Sequence, residues 1–322
     1  MASEFDLIER YFKRPVDPSL LGGGDDCALL SVSPGKRLAV SKDLLLEGRH
    51  FFSDVDPYLL GHKALAVNLS DLAAMGARPV ACMLGLGLPT WSDVWIRAFA
   101  DGFYSLVDRY QCPLIGGDTT RSQRDIVLSV TVFGEVDDAL ALKRNAATVD
   151  DDIWISGELG AADLACRMLS GELALQADWL AATRGALEQP IPRLDLGLAL
   201  LGHAHSAIDV SDGLLQDLGH ILTQSQVGAV IEETLLPMHA VIQKLPIETR
   251  RQTTLGGGDL YELCFTAAVS KRVAIEHIGR TLNVRLTRIG QIVERSGLTV
   301  LDAARNEIKA LPDSYDHFKE PA

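Results

Sequence analysis

The stretch that most constrains the fold is an apolar helical segment that nevertheless carries an acidic residue. Residues 58–75 are predicted to form one helix, which Gly76 ends as a C-cap and Pro79 prevents from continuing. Its second half is apolar on almost every side, which is typical of a buried helix. Asn68 and Asp71 are three residues apart and therefore share one face of this helix.

A carboxylate on such a helix has two explanations. Burying a charged carboxylate is costly unless a cation or several donors meet it. Asp71 could cap a neighbouring loop, which is the commoner role of a lone aspartate, or it could face a cleft that binds a metal ion. The rest of the sequence is needed to choose between them.

The length and composition indicate a globular protein of two domains. At 322 residues the chain is long enough for two separate cores, and its hydrophobic content of 47% is ordinary. Both halves mix strand-like and helical segments, and the character of the sequence changes near Asp137. We therefore expect an α/β (α+β) fold, with an N-terminal domain over residues 1–137 and a C-terminal domain over residues 138–322.

Several features predict a cytoplasmic protein. The sequence has no run of about 18 apolar residues, and its N-terminus lacks the layout of a signal peptide. The five cysteines are scattered and form no CxxC pair, which argues against a disulfide framework or a structural zinc site. The formal net charge of -13 argues against non-specific binding to nucleic-acid backbones.

Six short acidic segments recur along the chain, most of them after an apolar strand and beside Gly, Ser or Thr. A strand over Arg37–Ser41 is predicted to end at Lys42, and a strand over Cys112–Ile115 is predicted to enter a turn at Gly116. Small neighbours let a ligand approach the backbone, and aspartate is a hard oxygen ligand suited to Mg²⁺. One such segment is an ordinary turn, but six predict a shared site for Mg²⁺ and a polyphosphate. Their aspartates are Asp25, Asp26, Asp43, Asp71, Asp118, Asp209, Asp212 and Asp259.

The common nucleotide-binding motifs are absent. There is no GxxxxGK[ST] loop and no HRD or DFG set, and Gly22–Gly24 neither follows a strand nor completes GxGxxG. An ATP site would have to be built from Mg²⁺, a glycine turn such as Gly116–Gly117, and cations such as Lys42 or Arg144. Arg144 could equally be a solvated loop residue, and His50 could be a structural histidine.

Six motifs follow one another along the chain, in the order that one known family has them, and the likeness extends from about Phe5 to Phe318. They are Gly-Asp-Asp-Cys-Ala, Glu-Gly-Arg-His-Phe, Asn-Leu-Ser-Asp-Leu-Ala-Ala-Met-Gly-Ala, Gly-Gly-Asp-Thr-Thr, Ile-Asp-Val-Ser-Asp-Gly-Leu and Gly-Gly-Asp-Leu-Tyr-Glu-Leu-Cys-Phe. Together they resemble the thiamine-monophosphate kinase family, within the superfamily of aminoimidazole ribonucleotide synthetase. The resemblance implies a two-domain fold of that superfamily, in which the N-terminal sheet pairs across a homodimer and a C-terminal α+β domain covers the nucleotide. It also implies ATP- and Mg²⁺-dependent phosphorylation of thiamine phosphate to thiamine diphosphate.

The same resemblance, matched position by position, implies the site residues. The positions of the family's magnesium ligands hold Asp26, Ser41, Lys42, Asp43, Asp71, Asp118, Asp209 and Asp212. The ATP contacts fall on Gly117, Asp118, Arg144 and Ser211, and the thiamine phosphate contacts fall on His50, Asp259 and Tyr315. The family transfers the phosphoryl group directly to the substrate phosphate, so the resemblance implies no covalent enzyme nucleophile.

Three segments depart from the family pattern. Lys42 replaces a threonine, and its side chain cannot ligate Mg²⁺ through oxygen, although an ammonium could add charge near phosphate. Asp259 and Leu260 replace a Glu-Asp pair, and residues 145–150 replace Gly-Ala-Lys-Pro-Gly-Asp. The alternatives that remain are an aminoimidazole ribonucleotide synthetase-like enzyme and a non-catalytic paralogue that binds nucleotide or metal.

Overall fold

The chain forms two compact units, each with its own sheet and helices. The computed structural model describes residues 4–17, 20, 22, 26–315 and 317–318. Unit 1 extends to Leu72 and continues over Ala77–Ala139, whereas unit 2 comprises Ala73–Gly76 and the chain from Leu140 onward. The mixed α/β class is therefore as predicted. Among the described residues, no helix has both the length and the apolar character needed to cross a membrane.

Unit 1 is built on a four-stranded sheet with the order β1-β4-β2-β3. Strand β4 pairs antiparallel with β1 and β2, and β2 pairs parallel with β3. The strands are β1 (Arg37–Leu46), β2 (Arg78–Leu88), β3 (Leu114–Arg121) and β4 (Val127–Val136). The helices are α1 (Glu4–Leu7), which continues as a π-helix over Ile8–Phe12, α2 (Pro57–Met75) and α3 (Asp93–Tyr110).

Helix α2 is the predicted apolar helix, and it packs closely against α3. A Cβ atom on Gly61 would lie 2.0 Å from the carbonyl oxygen of Phe99, and one on Gly102 would lie 1.9 Å from that of Tyr58. The two backbones are therefore too close for any residue larger than glycine at either position. Residues 60–70 are all buried, which confirms the prediction from the sequence.

The two faces of the unit 1 sheet differ in exposure. Side chains alternate along a strand, and on β1 Ser41 and Asp43 lie on the more buried side, which faces α2. Val40 and Leu44 lie on the opposite side and are exposed, with Lys42 between them. We call this opposite side the outer face of the sheet.

Unit 2 contains a six-stranded sheet with the order β10-β7-β9-β5-β8-β6, in which only β10 and β7 pair parallel. Its strands are β5 (Asp152–Ser156), β6 (Ser206–Val210), β7 (Gly228–Glu232), β8 (Glu262–Ala267), β9 (Leu286–Val293) and β10 (Gly297–Leu301). Every residue of β5, β6 and β8 is buried, so these strands form the core of the unit. The helices are α4 (Ala161–Ser170), α5 (Ala177–Glu188), α6 (Leu194–Ala199), α7 (Leu214–Ser225), α8 (Ile247–Arg251) and α9 (Arg272–Leu282).

Two of the predicted acidic turns are strand interiors instead. Strand β1 runs through Lys42 and Asp43, and β3 runs through Gly116, Gly117 and Asp118. Strand β1 continues because every residue from 37 to 46 pairs with β4, which no local pattern in β1 reveals. The expectation that these aspartates follow strand ends is therefore wrong, and their direction is set by strand alternation.

Candidate functional site

Asp71 is the half-buried carboxylate of helix α2, and it is joined to strand β1. The Ser41 hydroxyl donates a hydrogen bond to Asp71 Oδ2 at 2.5 Å. Almost one turn earlier on the helix, Asn68 Oδ1 accepts a hydrogen bond from the main-chain N–H of Asp43 at 2.9 Å. Because Ser41 and Asp43 share one face of β1, these two bonds bring Asp43 and Asp71 to neighbouring positions. This pair is the acidic centre of unit 1, which we call the α2–β1 cluster.

Lys42 does not belong to the α2–β1 cluster. Its side chain lies on the outer face, where Nζ donates to the Ser129 hydroxyl at 2.5 Å. The assignment of the Lys42 side chain to the same ligand set as Asp43 is corrected, because consecutive residues of a strand point to opposite faces. Because the sequence predicts that the strand ends at Lys42, the alternation of side chains was not expected to include Lys42 and Asp43.

Asp118 also lies on the outer face of the sheet. In the strand register Asp118 pairs with Gly85, which pairs with Ser129, so the three share one face. The structure thus places Asp118 on the opposite side of the unit 1 sheet from Asp43. Next to it, a Cβ atom on Gly117 would lie 1.9 Å from the carbonyl oxygen of Leu84, so this position requires glycine.

Two further predicted residues of unit 1 lie in loops. Asp26 is exposed in a bend, and the two residues that precede it in its motif, Gly24 and Asp25, lie outside the described residues. His50 is in the turn after β1, where Nδ1 accepts a hydrogen bond from the Leu46 main-chain N–H at 3.0 Å. A neutral His50 therefore carries its proton on Nε2, which makes that nitrogen a hydrogen-bond donor.

Three loops of unit 2 converge on predicted site residues. The main-chain N–H of Asp259 donates to the Ser211 carbonyl oxygen at 2.7 Å, and that of Tyr315 donates to the Asp212 carbonyl oxygen at 3.1 Å. Asp209 lies near the end of β6, two residues before Ser211. We call this arrangement the loop cluster, and its segments are residues 209–213, 256–261 and 313–315.

The Gly258–Tyr261 segment adopts a backbone that local sequence rules do not predict. Asp259 and Tyr261 have φ angles of 60° and 55°, in the left-handed region that most residues avoid. The Tyr261 hydroxyl donates to Asp259 Oδ1 at 3.1 Å, which orients the carboxylate. Leu260, which departs from the family pattern, is buried, so its apolar side chain contributes to packing.

Asp217 is a site residue that sequence reasoning missed. Its Oδ2 atom accepts hydrogen bonds from three successive main-chain N–H groups, those of Ser211 at 3.0 Å, Asp212 at 3.1 Å and Gly213 at 3.1 Å. Burial raises the pKa of Asp217 to about 7, and the neighbouring charge of Asp212 adds to the effect. The available signal was an acidic residue in the first turn of a helix that follows a glycine turn.

Carboxylates near the loop cluster have raised pKa values. Burial raises the pKa of Asp163 on α4 to about 6, although Arg167 donates to it at 2.7 Å and opposes the shift. Asp163 lies against the loop, since a Cβ atom on Gly257 would come within 2.7 Å of its carboxyl carbon. Burial also raises the pKa of Asp212, against the opposing effect of His317. This region therefore favours the binding of positive charge.

Arg144 is not close to Ser211, although both were matched to ATP contacts. The Ser225 hydroxyl, at the C-terminal end of α7, donates to the Arg144 carbonyl oxygen at 2.8 Å. Ser211 precedes the N-terminal end of the same helix. A helix of 12 residues is about 18 Å long, so the two main-chain positions lie roughly that far apart.

The carboxylates described above suit Mg²⁺, which keeps waters and phosphates as ligands, better than they suit a metal ion whose ligands all come from the protein. Among the residues that the structure describes, no group of three or more His, Cys, Asp or Glu side chains is arranged to hold a metal ion. Mg²⁺ is usually bound by one or two carboxylates, with waters and substrate phosphates as the other ligands. The pair Asp43 and Asp71, supported by the Ser41 hydroxyl, fits this requirement.

Comparisons with known proteins agree on one family. Residues 24–136 match the model of the AIR synthase related protein, N-terminal domain. The chain is 40% identical to the thiamine-monophosphate kinase of Haemophilus influenzae over 98% of each chain. It is 46% identical to a crystal structure of thiamine-monophosphate kinase from Stenotrophomonas maltophilia, with a TM-score of 0.81 over 87% of this chain and 90% of that one. The AaThiL complex with AMPPCP and TMP is 27% identical, with a TM-score of 0.76 over 89% of both chains.

Proposed function

This chain belongs to the thiamine-monophosphate kinase family, and we propose that it transfers a phosphoryl group from ATP to thiamine phosphate, which yields thiamine diphosphate. It is thus a phosphotransferase whose acceptor is a phosphate group. The observation that carries this proposal is the α2–β1 cluster, in which Asp43 and Asp71 are held at neighbouring positions beside buried residues. Phosphoryl transfer depends mainly on positioning and charge neutralisation, for which such carboxylates recruit Mg²⁺.

We infer that Mg²⁺ is bound by carboxylates of the α2–β1 cluster and of the 209–213 segment, together with Asp26 and Asp118. In unit 1 the pair is Asp43 and Asp71, and in unit 2 the acidic residues of the 209–213 segment serve the same purpose. When bound, Mg²⁺ supplies positive charge that neutralises the phosphates of ATP. The proposed ligand set is Asp26, Ser41, Asp43, Asp71, Asp118, Asp209 and Asp212.

The chain's remaining site residues bind and orient the two substrates. Gly117 lets β3 lie directly against the Leu84 carbonyl beside Asp118, and the Nε2 proton of a neutral His50 suits a phosphate oxygen as acceptor. No covalent nucleophile is proposed, since the substrate phosphate is already anionic at neutral pH and attacks directly. The proposed ATP contacts are Gly117, Asp118, Arg144 and Ser211, and the proposed thiamine phosphate contacts are His50, Asp259 and Tyr315.

We also propose a homodimer that forms through the outer face of the unit 1 sheet. Leu38, Val40 and Leu44 are exposed there to 45%, 55% and 49%, on a strand at the edge of the sheet. Exposed apolar side chains grouped on one face of an edge strand are typical of a protein interface. Asp118 shares this face, so the dimer would bring it towards the partner subunit, which accounts for its separation from Asp43.

A cytoplasmic location is proposed from the cysteines. All five are free thiols, and three of them, Cys82, Cys112 and Cys264, are buried. Unpaired buried thiols are usual in a reducing compartment.

An activity assay tests the proposed reaction. Purified protein is incubated with ATP, Mg²⁺ and thiamine phosphate, and thiamine diphosphate is measured by chromatography. We expect product only when all three are present, and none when thiamine replaces thiamine phosphate, since it lacks the acceptor phosphate. Nucleotide binding without any thiamine diphosphate would instead support a non-catalytic paralogue.

Light scattering tests the proposed dimer. The Val40→Lys variant, which places a charge on the outer face, should convert a dimer into a monomer of half the mass. Val273→Lys on α9 is the matched control, because Val273 is also exposed but lies in unit 2. A monomeric wild-type protein would contradict the proposal.

A further inference from the structure

Unit 2 contains a cavity that is separate from the loop cluster. Its volume is about 670 Å³, which is within the range of small-molecule sites. It is lined by the turn at Glu233–Leu236 after β7, by helix α8, and by the turn at Asp302–Ala304 after β10. None of the residues that line it has a role in the proposed reaction.

The acidic residues of the cavity wall already have partners. Glu233 accepts two hydrogen bonds from the Arg251 guanidinium, at 2.9 and 3.0 Å, in a bidentate ion pair. Asp302 Oδ1 accepts hydrogen bonds from the main-chain N–H groups of Ala304 at 2.9 Å and Asn306 at 2.8 Å. These bonds hold two walls of the cavity in place, and neither carboxylate forms an ion pair with Arg250 among the described residues.

Arg250 is the cation of the cavity without a counter-charge. Its Nε atom is buried and has no hydrogen-bond partner within the part of the chain that the structure describes. Among the same described residues Arg250 forms no ion pair, whereas the neighbouring Arg251 pairs with Glu233. A buried donor without an acceptor costs free energy, and a guanidinium is the side chain best suited to bind phosphate or carboxylate. The Arg250 guanidinium lines the cavity and forms no ion pair with the described residues, so it can pair with an anion that enters the cavity.

The other residues that line the cavity indicate which chemical groups a ligand would carry besides its anion. Leu236, Met238 and Ile247 give one side of the cavity an apolar surface, and Gln243 adds an amide. We propose that this cavity is a binding site for a small organic anion, whose phosphate or carboxylate group pairs with Arg250 and whose aromatic or aliphatic body packs on the apolar side. The proposal is independent of the kinase reaction, since the two sites share no residue.

Calorimetric titration of the full-length protein with three probes tests this site. Phenyl phosphate and benzoate represent the two anionic groups, and phenol has the same ring without the charge. We expect at least one of the two anions to bind with a stoichiometry of one to this site, and phenol to bind at least 10-fold more weakly. Which anion binds more tightly distinguishes a phosphate ligand from a carboxylate ligand. Equal binding of phenol, or no binding of either anion, would overturn the proposal.

Three variants locate the binding. Arg250→Met keeps the length of the side chain but removes the guanidinium, and it should weaken anion binding at least 10-fold. Ala304→Phe fills the cavity from an exposed position and should have the same effect without touching Arg250. Arg280→Met, on the exposed side of α9, is the matched control and should bind normally. Tyr315→Ala should also bind normally, whereas loss of binding there would place the anion in the proposed thiamine phosphate site and refute the new one.

Discussion

Glu135 of unit 1 and two carboxylates of unit 2, Asp163 and Asp217, have pKa values that are shifted in opposite directions. In unit 1 the pKa of Glu135 falls to about 2, first because the Ser33 main-chain N–H donates to it at 2.9 Å and also because Arg78 and the Ser33 hydroxyl donate to it. In unit 2 the pKa values of Asp163 and Asp217 rise to about 6 and about 7, because burial outweighs the donors that each residue has. Burial alone therefore does not determine the charge of a carboxylate; the balance of donors does.

This difference distinguishes a carboxylate that protein donors compensate from carboxylates that lie beside the proposed site. Glu135 is compensated within its own unit, so it needs no ligand. Asp163 and Asp217 lie beside the loop cluster, where Asp212 and Asp259 concentrate more negative charge. A region whose acidic groups resist ionisation is one that a bound cation would stabilise, and perturbed pKa values of this kind are typical of functional sites.

The largest expected effect is the loss of turnover in Asp71→Ala. The substitution removes one of the two paired carboxylates of the α2–β1 cluster, so kcat should fall by about 10²–10³-fold. The melting temperature should change little, because Asp71 is only half-buried. Steady-state kinetics and thermal unfolding measure the two effects.

Asp101→Ala is the matched control for this prediction, since Asp101 is an exposed aspartate on helix α3. Its activity should equal that of the wild type. If Asp71→Ala keeps full activity, Asp71 is a structural residue like Glu135, and the contrast between the two kinds of carboxylate disappears in unit 1.

The next largest effect is expected for Asp217→Ala, which leaves three main-chain N–H groups of the 211–213 segment without their acceptor. The free energy of unfolding should fall by about 1–3 kcal/mol. Displacement of the loop should also lower kcat/KM by roughly 10–100-fold, as loss of a supporting residue commonly does. Denaturant titration and kinetics would show both changes.

Asp178→Ala provides the comparison for Asp217→Ala, because Asp178 is also in the first turn of a helix, α5, but is exposed. It should change neither quantity. A variant Asp217→Ala that is less stable yet has an unchanged kcat/KM would limit Asp217 to a role in folding.

More of the unit 1 site than of the unit 2 site could be predicted from the sequence. The apolar pattern of α2 and the three-residue spacing of Asn68 and Asp71 follow from helix geometry, so the shared face was evident. The contribution of Asp217 depends on the folded position of three main-chain N–H groups, and the left-handed backbone of Asp259 and Tyr261 depends on tertiary contacts.

The faces that residues occupy in unit 1 have a related cause. Lys42 and Asp118 were grouped with Asp43 from the acidic segments and the family resemblance, but strand pairing sends their side chains to the outer face. A motif identifies residue types, whereas the face that a residue occupies depends on where its strand begins and ends. The extent of β1 is set by its pairing with β4, which lies about 90 residues later in the sequence.

A smaller effect is expected in the pH dependence of stability. The pKa of Glu135 is lowered from 4.5 to about 2 in the folded protein, so its stabilising contribution is present above pH 4.5 and is lost as the pH falls towards 2. Glu135→Gln should therefore melt a few degrees below the wild type at neutral pH, and this difference should vanish near pH 2. Thermal unfolding at a series of pH values measures the difference.

Asp163→Asn should show the reverse trend in unit 2. The pKa of Asp163 is raised from 3.8 to about 6, so its contribution to stability is full below pH 3.8 and is lost as the pH rises through 6. The melting temperature of the wild type should then fall relative to that of the variant between pH 4 and 6. If the melting temperatures of Glu135→Gln and Asp163→Asn, relative to the wild type, changed with pH in the same direction, the opposite pKa shifts of the two residues would be contradicted.

The smallest effect is expected for Lys42→Thr, which restores the residue that the family usually has. Since the Lys42 side chain lies on the outer face and donates to Ser129, its removal should change kcat by no more than about twofold and leave the Mg²⁺ activation curve in place. Ser129→Ala, which removes only the partner hydroxyl, is the control and should behave alike. A loss of 10-fold or more in Lys42→Thr alone would mean that Lys42 itself takes part in the reaction, together with Asp118 on the same face.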